Sequence, residues 1–310
     1  MASGSKKVVY AAMFGNLAIA ITKFAAAAWT GSSAMLSEGI HSTVDTSNQV
    51  ILLFGMKRAA RPPDDRHPFG YGMEIYFWAF VVALLIFALG GSVSIYEGVH
   101  RVMHPEPIRQ PWANFLVLGI AILIEGYIFR IAWKELRHQQ PNRSIWRALQ
   151  VSKDPSVFAI FCEDLAALAG LSVALIGVAL AYYLEMPVFD GLASIAIGLI
   201  LVATAVFLAR ETLSLMTGES ASKGVLTDVQ EVLDADSRVN HVGEVLSMHL
   251  GPREILIAVS IDFDEALSGE DVEATMRELT LALEERRDEI SRVFLRPVRS
   301  KSATPTPALP

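Results

Sequence analysis

The sequence predicts an α-helical membrane protein: six transmembrane helices followed by a small α+β domain. Three observations carry that prediction. Of the 310 residues, 52% are hydrophobic and only 19% charged, against roughly 25% charged in soluble chains, and the mean hydropathy is +0.40. Apolar stretches recur at lengths near the ~20 residues a helix needs to cross a bilayer. Beyond Arg210 the composition turns acidic, with nineteen acidic and nine basic side chains between 211 and 299.

Spans are expected at about 8 to 29, 33 to 56, 75 to 97, 113 to 133, 156 to 183 and 187 to 209. The first run is too long for a signal-peptide core and lacks a small-residue cleavage site, so it is read as a retained span. Basic residues near span ends stay on the cytoplasmic side. Lys57, Arg58, Arg61 and Arg66 follow the second span, and Lys134, Arg137, Arg143, Arg147 and Lys153 follow the fourth, whereas the opposite loops offer Arg101 and Arg109. Both termini are therefore expected in the cytoplasm, in a multi-pass protein that in a bacterium would sit in the plasma membrane. The single cysteine, Cys162, excludes an intrachain disulfide and falls inside the fifth span, where packing explains it.

Three regions follow: a transmembrane domain at 1–210, a soluble domain at 211–299, and a Pro- and Ser-rich tail at 300–310 with the composition of a disordered segment. In the soluble domain, Val229, Val232 and Leu233 fall at helical spacing. "EVLSMHLG" alternates, "EILIAVSIDF" puts Ile255, Ile257, Val259, Ile261 and Phe263 on one face, the stretch 270–287 carries a Val272, Met276, Leu279 and Leu283 stripe, and "RVFLRPV" closes as a strand. Helix, strand, strand, helix, strand implies helices layered on a sheet. The acidic balance keeps this part soluble or draws cations, and no nucleic-acid partner is expected.

The functional signal lies in "SEGIHSTVDTSNQ", residues 37–49. His41 and Asp45 are four apart, so they share one helix face, with Glu38 and Asn48 three residues to either side. Ionisable groups at membrane depth cost several kcal/mol unless they meet a partner or a wet cavity, which makes them functional candidates. A network that only glues helices together is the alternative, and four polar residues on one face favour function. Glu163 and Asp164 open an Ala- and Gly-rich fifth span; being adjacent, they point about 100° apart, and Asp164 is the firmer choice. Carboxylates gathered beside a histidine repel one another unless a cation joins them. One imidazole with two or three carboxylates suits Zn2+, Co2+, Fe2+ or Mn2+ without ranking them. Glu125 in the fourth span is read as a hydrogen-bonding or proton-relay group, Lys23 as snorkelling or paired with an acid, and Asp190 as capping its own helix.

The six spans, the His-x-x-x-Asp pair "HSTVD", the acidic fifth-span motif and the loop "RPPDDRHPFGYGMEIYFWA" together resemble the cation diffusion facilitator family over residues 8–297. The resemblance implies a homodimeric exporter that moves a divalent cation, most often zinc, out of the cytoplasm in exchange for protons, with a ferredoxin-like cytosolic domain at the dimer interface. It implies a transport site of His41, Asp45 and Asp164. Many members carry a further ligand four residues before the fifth-span aspartate, where this chain has Ile160; here Glu163 is the candidate fourth ligand. Glu38 and Glu125 are candidates for a proton pathway. Asp64 and His67 match a secondary metal site that family members complete with a further histidine where this chain has Tyr71, so a plain turn is the preferred reading. His241 and His249 make no preformed site.

The expected cargo is thus a transported divalent cation, zinc first, with Co2+, Fe2+, Mn2+ and Cd2+ as alternatives and no resident cofactor. Partners are a second copy of the chain, protons and membrane lipid. Ile160 keeps a transport-dead metal sensor or scaffold as the rival. An intramembrane metalloenzyme is weaker still, because the spans carry no His-Glu-x-x-His and no credible Ser/His pair.

Overall fold

The computed structural model describes residues 3–105, 111–139 and 153–299; Arg109, Arg143, Arg147 and the tail at 300–310 fall outside them. The chain divides into two compact units. One comprises the residues up to Pro62 together with Glu74–Met216, and the other Pro63–Met73 together with the residues from Thr217 onward.

The first unit is a helical bundle: α1 (Ser3–Thr30), α2 (Ser33–Ala59), α3 (Glu74–Leu85), a π-helical stretch Ile86–Gly91, α4 (Ser92–Met103), α5 (Pro111–Gln139), α6 (Pro155–Tyr183) and α7 (Val188–Met216). From α3 to α4 the helix runs without a break in the chain's course, so these make one span. Among the described residues, five segments are long and apolar enough to cross a membrane: Val8–Thr30, Glu74–Met103, Trp112–Arg137, Pro155–Tyr183 and Val188–Met216. The remaining predicted span, α2, is 27 residues long and packs within the bundle. Its polar stripe is what separates it from the other five.

The bundle inverts the soluble pattern. Phe14, Leu123, Ile176 and Leu199 point outward with 57–75% of their surface exposed, while Lys23, Glu38, Asp45, Glu125, Glu163 and Asp164 are buried. An apolar outside and a charged inside suit a chain whose solvent is lipid.

Helix starts follow local chemistry. Ser32 caps α2 by accepting the Met35 backbone N–H at 3.2 Å. Asp154 caps α6 through the Ser156 N–H at 3.0 Å, and Pro155 supplies a first-turn φ that is already helical. Between the Ile86–Met103 part of the third span and α7, glycines seven apart on each side meet in antiparallel pairs: a Cβ at Gly98 would stand 2.7 Å from the Gly191 carbonyl, and one at Gly198 would stand 2.8 Å from that of Gly91. Small residues here let two backbones approach closely.

In the second unit, α8 (Lys223–Asp234), β1 (Val239–Gly251), β2 (Glu254–Phe263), α9 (Gly269–Arg286) and β3 (Ile290–Pro297) follow in the predicted order. The sheet order is β1-β2-β3, with β1 and β2 antiparallel and β2 and β3 parallel. Ile255, Ile257, Val259, Ile261 and Phe263 form the core face of β2, against Val225, Val229 and Leu233 of α8 and Leu279 and Leu283 of α9. In β1 the core contacts are Val239, Val242 and Val245, while Leu246 is exposed. Register shifts between Val239 and His241 and between Val242 and Val245 break the strict alternation there. Ser268 and Asp271 close a capping box at the start of α9. The Pro63–Met73 segment joins this unit: Phe69 meets Phe294 edge-on at 6.4 Å, Gly70 adopts φ +83°, and a Cβ on Gly72 would stand 2.4 Å from the Leu250 carbonyl oxygen.

Candidate functional site

The buried stripe on α2 becomes one continuous polar face. Glu38, His41, Ser42, Asp45, Asn48 and Gln49 are all at most 1% exposed, which is the i, i+3, i+4 repeat of a single face over about three turns. Three neighbouring helices bring ionisable groups to it: Lys23 from α1, Glu125 from α5, and Glu163 and Asp164 from α6, each buried to the same degree.

These groups fall into three sets. At the N-terminal end of the stripe, Lys23 Nζ donates to Glu38 Oε2 and to Ser42 Oγ, both at 2.9 Å. Glu38 Oε1 lies against Gly170 of α6, where an added Cβ would stand 2.5 Å from it. In the middle, His41 Nε2 is 3.4 Å from Asp45 Oδ2. Both His41 nitrogens, Asp45 Oδ1 and Asp164 Oδ2 are buried without a hydrogen-bond partner among the described residues. At the C-terminal end, Asn48 Nδ2 donates to Glu163 Oε1 at 3.0 Å and Gln49 Nε2 to Glu163 Oε2 at 3.4 Å.

Adjacent positions 163 and 164 are both buried because α6 is flanked by α2 and α5. Glu163 faces the α2 amides, while Asp164 feels the charges of Glu125 and Glu163. Asp45 is wholly buried and lies in the fields of Glu163, Glu125 and Asp164, with Lys23 opposing them. Among the described residues, no three His, Cys, Asp or Glu side chains are close enough together to hold a metal ion. The structure thus pairs His41 with Asp45 and holds Glu163 on amides, without drawing Asp164 and Glu163 onto that pair. Ile160 is buried. Glu125 keeps both carboxylate oxygens buried and without hydrogen-bond partners among the described residues.

Buried, unpaired acceptors cost about 1–3 kcal/mol each, and more when charged. Several of them around one imidazole form a donor set of nitrogen and oxygen that a divalent cation or protons would satisfy.

Asp64 and His67 belong to the second unit and are exposed. Asp64 Oδ1 accepts the backbone N–H groups of Arg66 and His67 at 3.0 and 2.8 Å, and Tyr71 donates its hydroxyl to Oδ2 at 2.6 Å. The Tyr71 bond, followed by the His67 N–H, holds the Asp64 carboxyl below its ordinary pKa. His67 Nδ1 is 3.5 Å from Oδ1, and its ring lies beside that of Tyr71 at 4.2 Å. The residues thus make a turn in which Tyr71 completes the bonding of the aspartate. Cys162 is a free, partly buried thiol.

Sequence reasoning left two partners unnamed. The acid that pairs with Lys23 is Glu38, fifteen residues along the chain, and no local pattern marks a pair between helices. The Asp190 carboxylate reaches the start of α2, where Oδ1 accepts Ser32 Oγ at 2.7 Å and the Ala34 N–H at 3.4 Å; the expectation of a cap on its own helix saw only its position in the chain.

A bundle apolar outside, with histidine and carboxylates buried across four helices, defines an integral membrane protein that handles charge at bilayer depth. The family described as the cation efflux transmembrane domain matches residues 9–217, and the chain belongs to that family, the cation diffusion facilitators. Its relatives include the Homo sapiens protein named "Proton-coupled zinc antiporter SLC30A9, mitochondrial", 31% identical over 263 residues that cover 84% of this chain and 46% of the relative. "Metal tolerance protein C4" of Arabidopsis thaliana is 29% identical over 267 residues, 84% of this chain and 57% of the relative. A transporter of Methanocaldococcus jannaschii, named as uncharacterized, is 23% identical over 289 residues, 93% and 95% of the two chains. The chain spans about half the length of the animal and plant relatives it matches. Family and relatives point to a transporter and not to an enzyme.

Proposed function

We propose that this chain carries a divalent cation, zinc first, across a membrane in exchange for protons. The observation that carries the reading is the buried His41–Asp45 pair on α2, in which both His41 nitrogens and Asp45 Oδ1, together with Asp164 Oδ2 on α6, lack hydrogen-bond partners among the described residues. Membership of the cation efflux family and likeness to a relative named a zinc antiporter support the cargo and the proton coupling.

In this reading His41 and Asp45 bind first, and Asp164 and Glu163 close the ligand set as α6 moves against α2. Glu163 leaves the amides of Asn48 and Gln49 to do so. Rocking of the bundle then opens the site to the other side. Protons arriving through Glu38 and Glu125 compete with the metal for the same lone pairs and release it. Both termini lie in the cytoplasm, the functional unit is a homodimer, and residues 1–210 and 211–299 act as transport and regulatory domains. Asp64 and His67 serve the loop as a turn.

Metal-driven proton flux in proteoliposomes tests this, with Zn2+, Co2+, Fe2+, Mn2+ and Cd2+ on the wild type and on Asp45→Asn and Asp164→Asn. Flux for one or more metals, lost in both variants, is the expected result. A folded wild-type protein with no flux for any metal supports the sensor or scaffold reading, in which Ile160 has left the ligand set incomplete.

A further inference from the structure

The third span ends on a pair of imidazoles. His100 lies in the last turn of α4, and His104 is the residue at which that helix stops, with φ −129° and ψ 74°. The His104 backbone N–H donates to the His100 carbonyl at 2.9 Å. Spacing of four puts both rings on one helix face, their centroids 5.0 Å apart and their planes 32° from parallel. Both side chains are exposed.

Their place in the bundle is fixed by neighbours. Gly98 packs against Gly191 near the start of α7, and Arg101 donates to the Gly31 carbonyl between α1 and α2 at 2.9 Å. The pair therefore stands at the bundle end where α1 stops and α2 and α7 begin, the end remote from Met216.

We propose that His100 and His104 form a two-histidine site for a borderline divalent cation such as zinc at this end of the bundle. Two imidazole nitrogens bound to one tetrahedral zinc, at about 2.0–2.1 Å each, bring the ring centroids to about 5 Å. The rings already stand at that separation, so capture needs rotation about side-chain bonds and no movement of the helix. Glu97, three residues earlier, shares the face; the carboxylate is not gathered with the rings into a group of three, and water completes the shell. A single histidine at a helix C-terminus would satisfy the dipole and the last carbonyls, and that role does not call for a second ring beside it.

Two protein ligands hold a metal less firmly than four, which suits a cation in transit. Under the proposed orientation this end is the exit side, and His100 and His104 are a stop for the departing ion. That placement rests on the efflux reading, whereas the binding does not.

The test is calorimetric titration of the full chain in detergent micelles with Zn2+ alone, together with the nitrogen coordination seen in the electron paramagnetic resonance of bound Cu2+. Wild type is compared with His100→Ala, and with a spacing variant that combines Val99→His with His100→Val. In that variant two histidines remain but stand five apart, about 140° around the helix. Loss of one zinc equivalent, or a Kd raised at least tenfold, together with loss of two-nitrogen copper coordination in both variants is the expected result. Unchanged stoichiometry, affinity and copper spectrum in both overturns the site. Binding lost in the variants of a wild type that shows no flux keeps this site and removes the efflux reading. Metal-driven flux with unchanged binding in the variants removes this site alone.

Discussion

Breaking the Lys23–Glu38 pair from either side is expected to destabilise the bundle more than removing both partners together. Lys23 Nζ has Glu38 Oε2 and Ser42 Oγ at 2.9 Å, and neither charged side chain has any exposed surface. Lys23→Met keeps most of the stem and removes the charge. Glu38 is then left as a buried carboxylate whose Oε1 has no hydrogen-bond partner among the described residues and whose Oε2 has lost its cation. Glu38→Met strands the ammonium on one hydroxyl. Leaving one buried charge unpaired costs about 3–5 kcal/mol, whereas an apolar pair of similar volume is close to neutral. The double variant is therefore expected to lose less stability than either single variant, with a coupling of at least about 2 kcal/mol. Unfolding in mixed micelles, followed by tryptophan fluorescence, gives the four free energies. A double variant whose loss equals the sum of the two single losses would refute the pairing and leave Lys23 to act elsewhere.

Gly98→Val and Gly191→Val are expected to lower thermal stability by about 1–3 kcal/mol or more through overpacking, because each new Cβ meets a backbone carbonyl at 2.7–2.9 Å; an unchanged melting profile would mean that α4 and α7 separate without cost. Ser268→Ala removes one arm of the capping box on α9 and is expected to cost about 1 kcal/mol in the unfolding of the second unit, read by circular dichroism. Acid is expected to loosen that same unit. Asp228 is held below its ordinary pKa by Arg287 and then Arg286, Asp236 by Arg238, and Asp271 by Ser268. With folded pKa values below the unfolded value of about 3.9, their contribution is complete above that value and is lost as pH falls through the folded ones. A denaturant midpoint that stays constant from pH 5 to pH 2.5 would count against these ion pairs and the Ser268 hydrogen bonds. Glu163→Gln keeps an acceptor for Asn48 and removes the charge, so flux is expected to fall steeply if Glu163 closes the ligand set, while flux near the wild-type level would leave it as a latch on α2.

Much of this protein is readable from the chain alone. Lipid and water sort side chains by type, so the apolar runs gave the bundle, and alternation in "EILIAVSIDF" gave the core face of β2 residue for residue. The polar stripe of α2 was legible because helical periodicity is local: Glu38, His41, Asp45 and Asn48 had to share a face wherever that face pointed. Tertiary structure decided what each face meets. It set Lys23 on Glu38, turned Glu163 to Asn48 and Gln49 while Asp164 stayed apart, carried the Asp190 carboxylate to the start of α2, and through register shifts broke the alternation of β1 so that Val239, Val242 and Val245 meet the core. These contacts join residues far apart in sequence and depend on how helices cross and strands slip, which periodicity within a single element does not encode.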